Sequence, residues 1–521
     1  MNTIPHLVRR AAANHGPLEA LVDGDRRWTF EQLHHGVRSA ASAFVAAGLR
    51  HGDRVAIWAP NSAEWMIAAL GAQYVGGVLV PVNTRFKGHE AADLLVRSRA
   101  RFLIVANDFL DTDYCALLRD FDLPDLVARV VVSGSVPDDG IAWDDFVDRD
   151  VDDVIDRRAD AVSEDDLCDI IFTSGTTGRP KGVMSRHGQT CAVFTTWSDV
   201  VGLTTGDRYL VVNPFFHTFG YKAGFLSGVL TGATILPVAV FDVPTVLQKV
   251  ADERITVLPG PPTLYLSILD HPNRNAHDLS SLRIAVTGAA AVPVTMIERM
   301  RRELTFRTVL TAYGLTESTG VVTMCRRDDD AHVIATTSGR AIPGVEVRIV
   351  DDDGRDAPPG TPGEIVCRGY NVMPGYFEDP VATAETIDAD GWLHTGDIGV
   401  IDERGNVAIT DRKKDMFIVG GFNAYPAEIE NLLLRHPSIA MAAVVGVPDE
   451  RLGEVGWAFV VPRTGCTIEG DDIVTWARGE MANYKVPRRV VVVDQLPTNA
   501  SGKVLKFELR RRASVDPADP I

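Results

Sequence analysis

The stretch "IFTSGTTGRPKGVM", residues 171–184, opens as an apolar strand and then gathers hydroxyls, glycines and one lysine in quick succession. Thr173, Ser174, Thr176 and Thr177 supply hydroxyl donors, while Gly175 and Gly178 let backbone amides turn toward one point. Lys181 adds a full positive charge. A concavity of this kind suits a polyphosphate. The P-loop spacing G-x-x-x-x-G-K-[ST] does not fit, because the lysine falls at the wrong offset and is followed by Gly182. The residues alone leave two readings open, a different phosphate cradle or an ornate turn.

Outward from this stretch the chain alternates Val/Ile-rich runs with helix-like segments. "DRVAIWAP", "VLVPVN", "RFLIVAN", "RYLVVNP", "ITVLPG" and "LRIAVTGAA" read as strands, and "SAEWMIAALGAQYVGG" as a helix. Such alternation predicts doubly wound α/β subdomains, with parallel sheets covered on both faces. Ligands gather where loops leave the carboxyl ends of such strands. Thr173, Phe215, Thr287 and Tyr313 all follow apolar runs. Past residue 335 the texture changes to short strands with turn signals, "GVEVRIVDDDGRDAPPGTPGEIVCRG" and "GNVAITDR", which predicts a small β-rich unit. "AEIENLLLRHPSIAMAAVVGVPD" and "EVGWAFVVPR" then resume an αβ alternation, enough for a second compact domain. The expected seam is the charged run "TDRKKDM", residues 410–416, for which a solvated turn is the plain alternative.

The 521 residues are 45% hydrophobic and 23% charged, as in globular proteins generally, and too many for a single core. Six scattered cysteines, at 115, 168, 191, 325, 367 and 466, form no C-x-x-C pair and read as reduced cytoplasmic thiols. The expected localisation is cytoplasmic, without a signal peptide or a membrane-spanning run. A formal charge of −18 argues against nucleic-acid binding but not against nucleotides, which local amides, placed cations and Mg²⁺ can hold.

Further motifs follow: "NPFFHTFGYKAG" at 213–224, "TGAAA" at 287–291, "YGLTES" at 313–318 and "HTGD" at 394–397. "DRKKD" occupies 411–415, "GGFNAYP" 420–426 and "PTNASGK" 497–503. Taken singly, each admits a bland reading. Glu317 is then a first-turn helix acid, Asp397 a turn aspartate, Tyr313 and His217 core residues and Lys503 a solvated lysine. In this order and spacing, over nearly the whole chain, the set resembles the adenylate-forming superfamily of acyl-CoA synthetases, peptide-synthetase adenylation domains and beetle luciferases.

That resemblance implies a two-step activation. A carboxylate attacks the α-phosphorus of ATP, pyrophosphate leaves, and a thiol then opens the acyl-adenylate. Two anions meet, so donors and cations must face the charge that develops. By resemblance, the loop from Thr173 to Lys181 holds the β and γ phosphates. Thr316 bonds phosphate, and Glu317 coordinates Mg²⁺. Tyr313 stacks on adenine, and Asp397 with Arg412 holds the ribose. Lys503 is the cation between acyl carboxylate and α-phosphate. The implied architecture is an N-terminal adenylation domain, residues 1–413, that includes a small β-barrel-like unit, and a mobile α+β C-terminal domain, residues 414–521. The second turns about Lys414 to bring Gly420, Gly421 and Phe422 to the coenzyme A channel.

The acyl pocket implied by resemblance takes Phe216, His217 and Tyr221 as its wall, with space left by Gly288, Ala289 and Ala290. With no carrier domain after residue 521, free coenzyme A is the expected thiol, although a separate carrier protein stays open. The details "PFFHTFGYKAG", "TVLPGPPT" and "VLTAYGLTES" are similar to actinobacterial ligases of steroid catabolism that activate a propanoate on a bicyclic ring fragment. Medium-chain fatty or aromatic acids, a fatty-acyl-AMP ligase and a catalytically silent nucleotide-binding protein are the alternatives. The oligomeric state, homo-oligomer included, stays open.

Overall fold

The computed structural model describes residues 2–149, 154–173, 180–288, 292–351, 353–412, 415–419, 422–449, 451–481, 483–499 and 504–514. Two sheets carry the N-terminal part. In the first, strands 140–142, 128–133, 100–106, 54–58, 78–81 and 167–173 run parallel, and 181–186 closes the edge antiparallel. Apolar runs such as "RVAIW" and "VLVP" are buried almost throughout, as a parallel sheet covered on both faces requires.

The second sheet has a parallel centre, 19–23, 234–237 and 208–211, joined through Val257 to 284–287 and 308–313. Antiparallel strands 26–29, 323–324 and 340–341 finish its two edges. The expected strand "ITVLPG" is reduced to single bridges at Val257. Pro259, Pro261 and Pro262 lack the N–H that a ladder needs, so the run cannot extend.

Helix Ala63–Tyr74 lies within the shared core. Ser62 caps it by accepting from the Trp65 amide, and Ala63 and every residue from Trp65 to Tyr74 are buried. A helix apolar all round belongs inside a protein rather than on its surface. Its Trp65 and Leu70 join one hydrophobic cluster with Ile57 and Leu79 of the first sheet and Leu21, Ile235 and Val286 of the second.

The β-barrel-like unit takes the form of an open antiparallel meander of strands 345–350, 363–369, 393–401 and 407–412. Four strands are too few to close on themselves. The chain then passes to a third arrangement between Arg412 and Phe417. There, strands 422–424, 417–419, 453–462 and 439–449 pair antiparallel, and 489–492 adds a parallel edge. Successive residues of a strand face opposite sides, so Val444 joins Ile429 and Ile473 while Val445 joins Leu509. Helices 426–433 and 470–480 cover the first face, and helix 506–514 covers the second.

Candidate active site

The strands 167–173 and 181–186 form a hairpin in which Thr173 stands opposite Lys181. Cross-strand partners share a face, so both side chains frame the neck of the opening loop. Ser174, Gly175, Thr176, Thr177 and Gly178 lie outside the described residues.

A second motif reaches this neck from the other sheet. Strand Thr308–Tyr313 ends in a short turn, Thr316–Ser318, that the Ser318 hydroxyl ties by accepting from the Leu315 amide at 3.1 Å and donating to its carbonyl at 2.9 Å. The turn presents Glu317, whose Oε1 accepts from the Thr173 hydroxyl at 3.5 Å and from the Tyr376 hydroxyl at 3.0 Å. The Lys181 ammonium lies 5.0 Å from the centre of the Tyr376 ring, within cation–π range. Thr173, Lys181 and Glu317 are thus brought together, with Thr316 beside them in the same turn.

Tyr376 is a site residue that sequence reasoning missed. It follows Gly375, and this segment pairs with the hairpin edge. The Phe377 amide donates to the Gly182 carbonyl at 2.7 Å, and the Met184 amide to the Gly375 carbonyl at 3.2 Å. Burial, reinforced by the Glu317 charge, pushes the Tyr376 hydroxyl well above its ordinary pKa, so it stays a donor. The only local signal was an aromatic residue in the turn sequence "MPGYF".

A second pole lies at the start of the same turn. The Tyr313 hydroxyl donates to Asp397 Oδ2 at 2.6 Å, and Asp397 is only 5% exposed. Burial and the adjoining carboxylate hold the Tyr313 phenol far above its ordinary pKa. Asp397 stands opposite Arg412 across the meander. "HTGD" is shaped by its neighbours. The Thr395 hydroxyl donates to the Ile365 carbonyl at 2.6 Å and accepts from the Asp397 amide at 3.1 Å. Gly396 has a φ of +68°, which favours glycine, and its amide donates to Glu364 Oε1 at 3.1 Å. Glu364, which also meets His394 Nδ1 at 3.3 Å, is a second missed residue, and no local spacing announces it.

The aromatic motif divides. Phe215 is fully buried, Phe216 half-buried and His217 exposed, which excludes the reading of His217 as a core histidine. Its Nδ1 accepts from the Phe219 amide at 3.4 Å. Thr218 connects this motif to the "YGLTES" turn, for a Cβ placed on Gly320 would meet its Cγ2 at 2.7 Å. Tyr221 departs from the expected wall: it is fully buried between Trp65 and Phe225, with its hydroxyl accepting from Gln73 Nε2 at 2.6 Å. An aromatic inside a helix reads alike whether it faces pocket or core. Gly288 sits at the end of strand 284–287, where a Cβ would come within 2.7 Å of the Ala312 carbonyl. Ala289, Ala290, Lys414, Gly420, Gly421 and Lys503 lie outside the described residues. Phe422 pairs through its backbone with Val419.

One strand end and its turn therefore hold a buried acid–tyrosine pair at Tyr313 and a lysine–carboxylate–hydroxyl group at Glu317. The arrangement can hold a sugar at the first pole and phosphates with a hard cation at the second.

The profile of the family described as "AMP-binding enzyme" matches residues 8–377, and that described as "AMP-binding enzyme C-terminal domain" matches residues 428–503. A "3-[(3aS,4S,7aS)-7a-methyl-1,5-dioxo-octahydro-1H-inden-4-yl]propanoyl:CoA ligase" of Rhodococcus jostii is 56% identical over 516 residues, covering 98% of each chain. A ligase of the same name from Mycobacterium tuberculosis is 50% identical, covering 98% of this chain and 99% of its own. Among solved structures, the anthranilate CoA ligase AuaEII in complex with anthranoyl-AMP matches with a TM-score of 0.88 at 27% identity, over 98% of this chain and 97% of that one. ATP-bound MatB from Rhodopseudomonas palustris matches with a TM-score of 0.84 at 29% identity, over 99% of both. The chain belongs to the AMP-binding family of adenylate-forming enzymes, and within it to the acyl-CoA ligases.

Proposed function

We propose that the enzyme activates the propanoate side chain of a bicyclic, steroid-derived diketone to its coenzyme A thioester. The observation that carries the substrate is near-full-length identity of 56% and 50% to two ligases named for that one acid. The oxygen of the carboxylate bonds the α-phosphorus of ATP as the bond to pyrophosphate breaks. The coenzyme A sulfur then bonds the acyl carbon, and AMP leaves with the electron pair of the broken mixed-anhydride bond.

In this reading Tyr313 and Asp397 hold the nucleoside, with Arg412 opposite. The hairpin neck, Thr173 and Lys181, holds the phosphates together with Ser174, Gly175, Thr176, Thr177 and Gly178. Phe216, His217 and Gly288 border the acid, and Lys503 neutralises carboxylate and α-phosphate as they meet. The C-terminal domain, 414–521, turns about Lys414 against the N-terminal domain, 1–413, between the two steps, and the reaction takes place in the cytoplasm.

Mg²⁺ fits the Glu317 pole. Among the described residues no group of three His, Cys, Asp or Glu forms a protein cage for a metal. Mg²⁺ instead favours one or two carboxylates plus phosphate oxygens. Glu317 would supply such a carboxylate, with the Thr173 and Tyr376 hydroxyls both donating to its Oε1. When bound, Mg²⁺ neutralises phosphate charge; Glu317 positions it, and Tyr376 and Thr173 orient Glu317.

The test is a panel of acids supplied with ATP and coenzyme A, read by AMP release. The bicyclic propanoate should exceed octanoate and benzoate in kcat/KM by at least about a hundredfold, a difference of about 2.7 kcal/mol in transition-state binding. Preference for either comparison acid would overturn the substrate assignment, and AMP release without thioester would favour an acyl-AMP ligase.

A further inference from the structure

Beneath the hairpin lies a charged group that the chemistry above does not use. Lys222 and Asp169 are both fully buried, with Nζ 2.9 Å from Oδ2. The same ammonium donates to the Ser185 hydroxyl at 2.8 Å. Asp169 and Ser185 are direct cross-strand partners, four residues below Thr173 and Lys181 respectively. One amine therefore grips both strands of the hairpin, about 13 Å from its neck at ~3.3 Å per residue.

Lys222 belongs to the helix Phe219–Leu226, which has π-type hydrogen bonding and begins two residues after His217. π segments are rare and concentrate at functional sites. The adjacent Tyr221 makes a parallel connection. Gln73 Nε2 donates both to its hydroxyl, at 2.6 Å, and to the Cys168 carbonyl, at 2.8 Å. Consecutive residues of the helix are thus fixed to consecutive residues of strand 167–173, one by an ion pair and one through an amide.

A buried ion pair is a weak device for stability, since apolar residues of equal volume often serve as well or better. It is a strong device for geometry, because any displacement leaves a charge buried without its partner. Asp169 Oδ1 and Gln73 Oε1 are buried with no hydrogen-bond partner, so this junction accepts a polar cost that an apolar core would avoid.

We propose that Lys222, Asp169 and Ser185 form a positioning junction that fixes the wall of the acyl pocket relative to the phosphate hairpin, and so sets the line between acid carboxylate and α-phosphorus. The inference rests on the reading that Phe216 and His217 border the acid and that the hairpin neck holds the phosphates. Adenylation needs both at once. Thioester formation from a ready-made acyl-adenylate no longer needs the pyrophosphate half of the alignment.

The test replaces the pair by apolar residues of similar size, Lys222→Met with Asp169→Leu, and follows the two half-reactions separately in the full-length enzyme. Wild-type enzyme is assayed first. If it shows no acid-dependent pyrophosphate exchange, the functional reading fails before the junction is tested. With an active wild type, the folded double variant should lose about ten- to hundredfold in adenylation kcat, the cost of misplacement by about 1 Å. Thioester formation from supplied acyl-adenylate should change less than threefold. Equal loss in both half-reactions, or no loss, overturns the proposal and leaves a structural pair. Ser185→Ala, which removes one hydroxyl and no charge, covers failure of the double variant to fold. It should lower adenylation selectively by a smaller factor, and an equal effect on both half-reactions counts against the junction.

Discussion

The Tyr313 hydroxyl donates to Asp397 Oδ2 at 2.6 Å, joining two motifs 84 residues apart in the chain. Tyr313 closes a strand of the second sheet, whereas Asp397 lies within the meander. The bond thus docks the small β unit onto the end of the parallel sheet where the nucleotide is proposed to bind. A phenol kept protonated by burial and by the carboxylate beside it can donate here, so the bond holds Oδ2 of Asp397 toward Tyr313.

Tyr313→Phe should therefore act on the nucleotide and spare the acid. The ring remains for stacking, but the buried Asp397 loses a donor, and a hydrogen bond to a charged group contributes about 1.5–3 kcal/mol. The expected result is a rise in KM for ATP of about ten- to a hundredfold, with KM for the carboxylic acid unchanged within a factor of two. A variant that shifted both constants equally would show the bond to be structural. Asp397→Asn, which keeps the shape, should match or exceed this effect.

At the other end of the turn, Glu317→Gln should raise the Mg²⁺ concentration needed for half-maximal adenylation by at least about tenfold, since Mg²⁺ relies on one or two charged carboxylates. Tyr376→Phe leaves that carboxylate in place and removes one of its orienting donors, so its effect should have the same direction and a smaller size. Titration of initial rate against Mg²⁺ at saturating ATP distinguishes these outcomes. An unchanged Mg²⁺ dependence in Glu317→Gln would remove that residue from the metal's site.

What the sequence disclosed was local. The strand–loop–strand of 171–184 and the strand end before "YGLTES" are legible because alternation and glycine placement are fixed within a few residues. Glu364 and Tyr376 were invisible because they act across the tertiary fold: one supports a turn 32 residues away, and the other bonds a carboxylate 59 residues away. Tyr221 reads from sequence as a pocket residue since core and pocket demand the same aromatic character. "ITVLPG" looked like a strand by its apolar run, but its prolines cap the ladder. Lys222 and Asp169 carry no signal in the sequence, because a lone lysine and aspartate ordinarily mark surface.

The proposed role of Lys503 separates the two half-reactions. Lys503→Ala should slow acyl-adenylate formation by at least about a hundredfold, the usual cost of losing one electrostatic stabiliser. Thioester formation from supplied acyl-adenylate should survive. Lys414→Pro should do the opposite, restricting the backbone rotation on which the second pose depends while sparing adenylation. Single-turnover measurement of each half-reaction checks both, and a matching loss in the two steps for either variant would refute its assignment.

His187 should make the stability of the N-terminal part fall in mild acid. Its ring is fully buried, its Nδ1 accepts from the Ile4 amide at 3.3 Å, and its Nε2 has no hydrogen-bond partner. Burial is the main cause that lowers its pKa from 6.5 to about 3, with Lys222 and His51 adding to the effect and Asp166 opposing it. Below pH 6.5 the unfolded chain binds a proton that the folded chain refuses, so this contribution is complete above pH 6.5 and declines as pH falls toward 3. The slope approaches about 1.4 kcal/mol per pH unit. His34, lowered to about 4 chiefly by burial, acts in the same direction over a narrower interval. Calorimetric unfolding at pH 7.5 and 5.5 should show a lower midpoint at the acid value. His187→Gln should reduce that difference while lowering the midpoint at both, and an unaltered difference would place the acid sensitivity elsewhere.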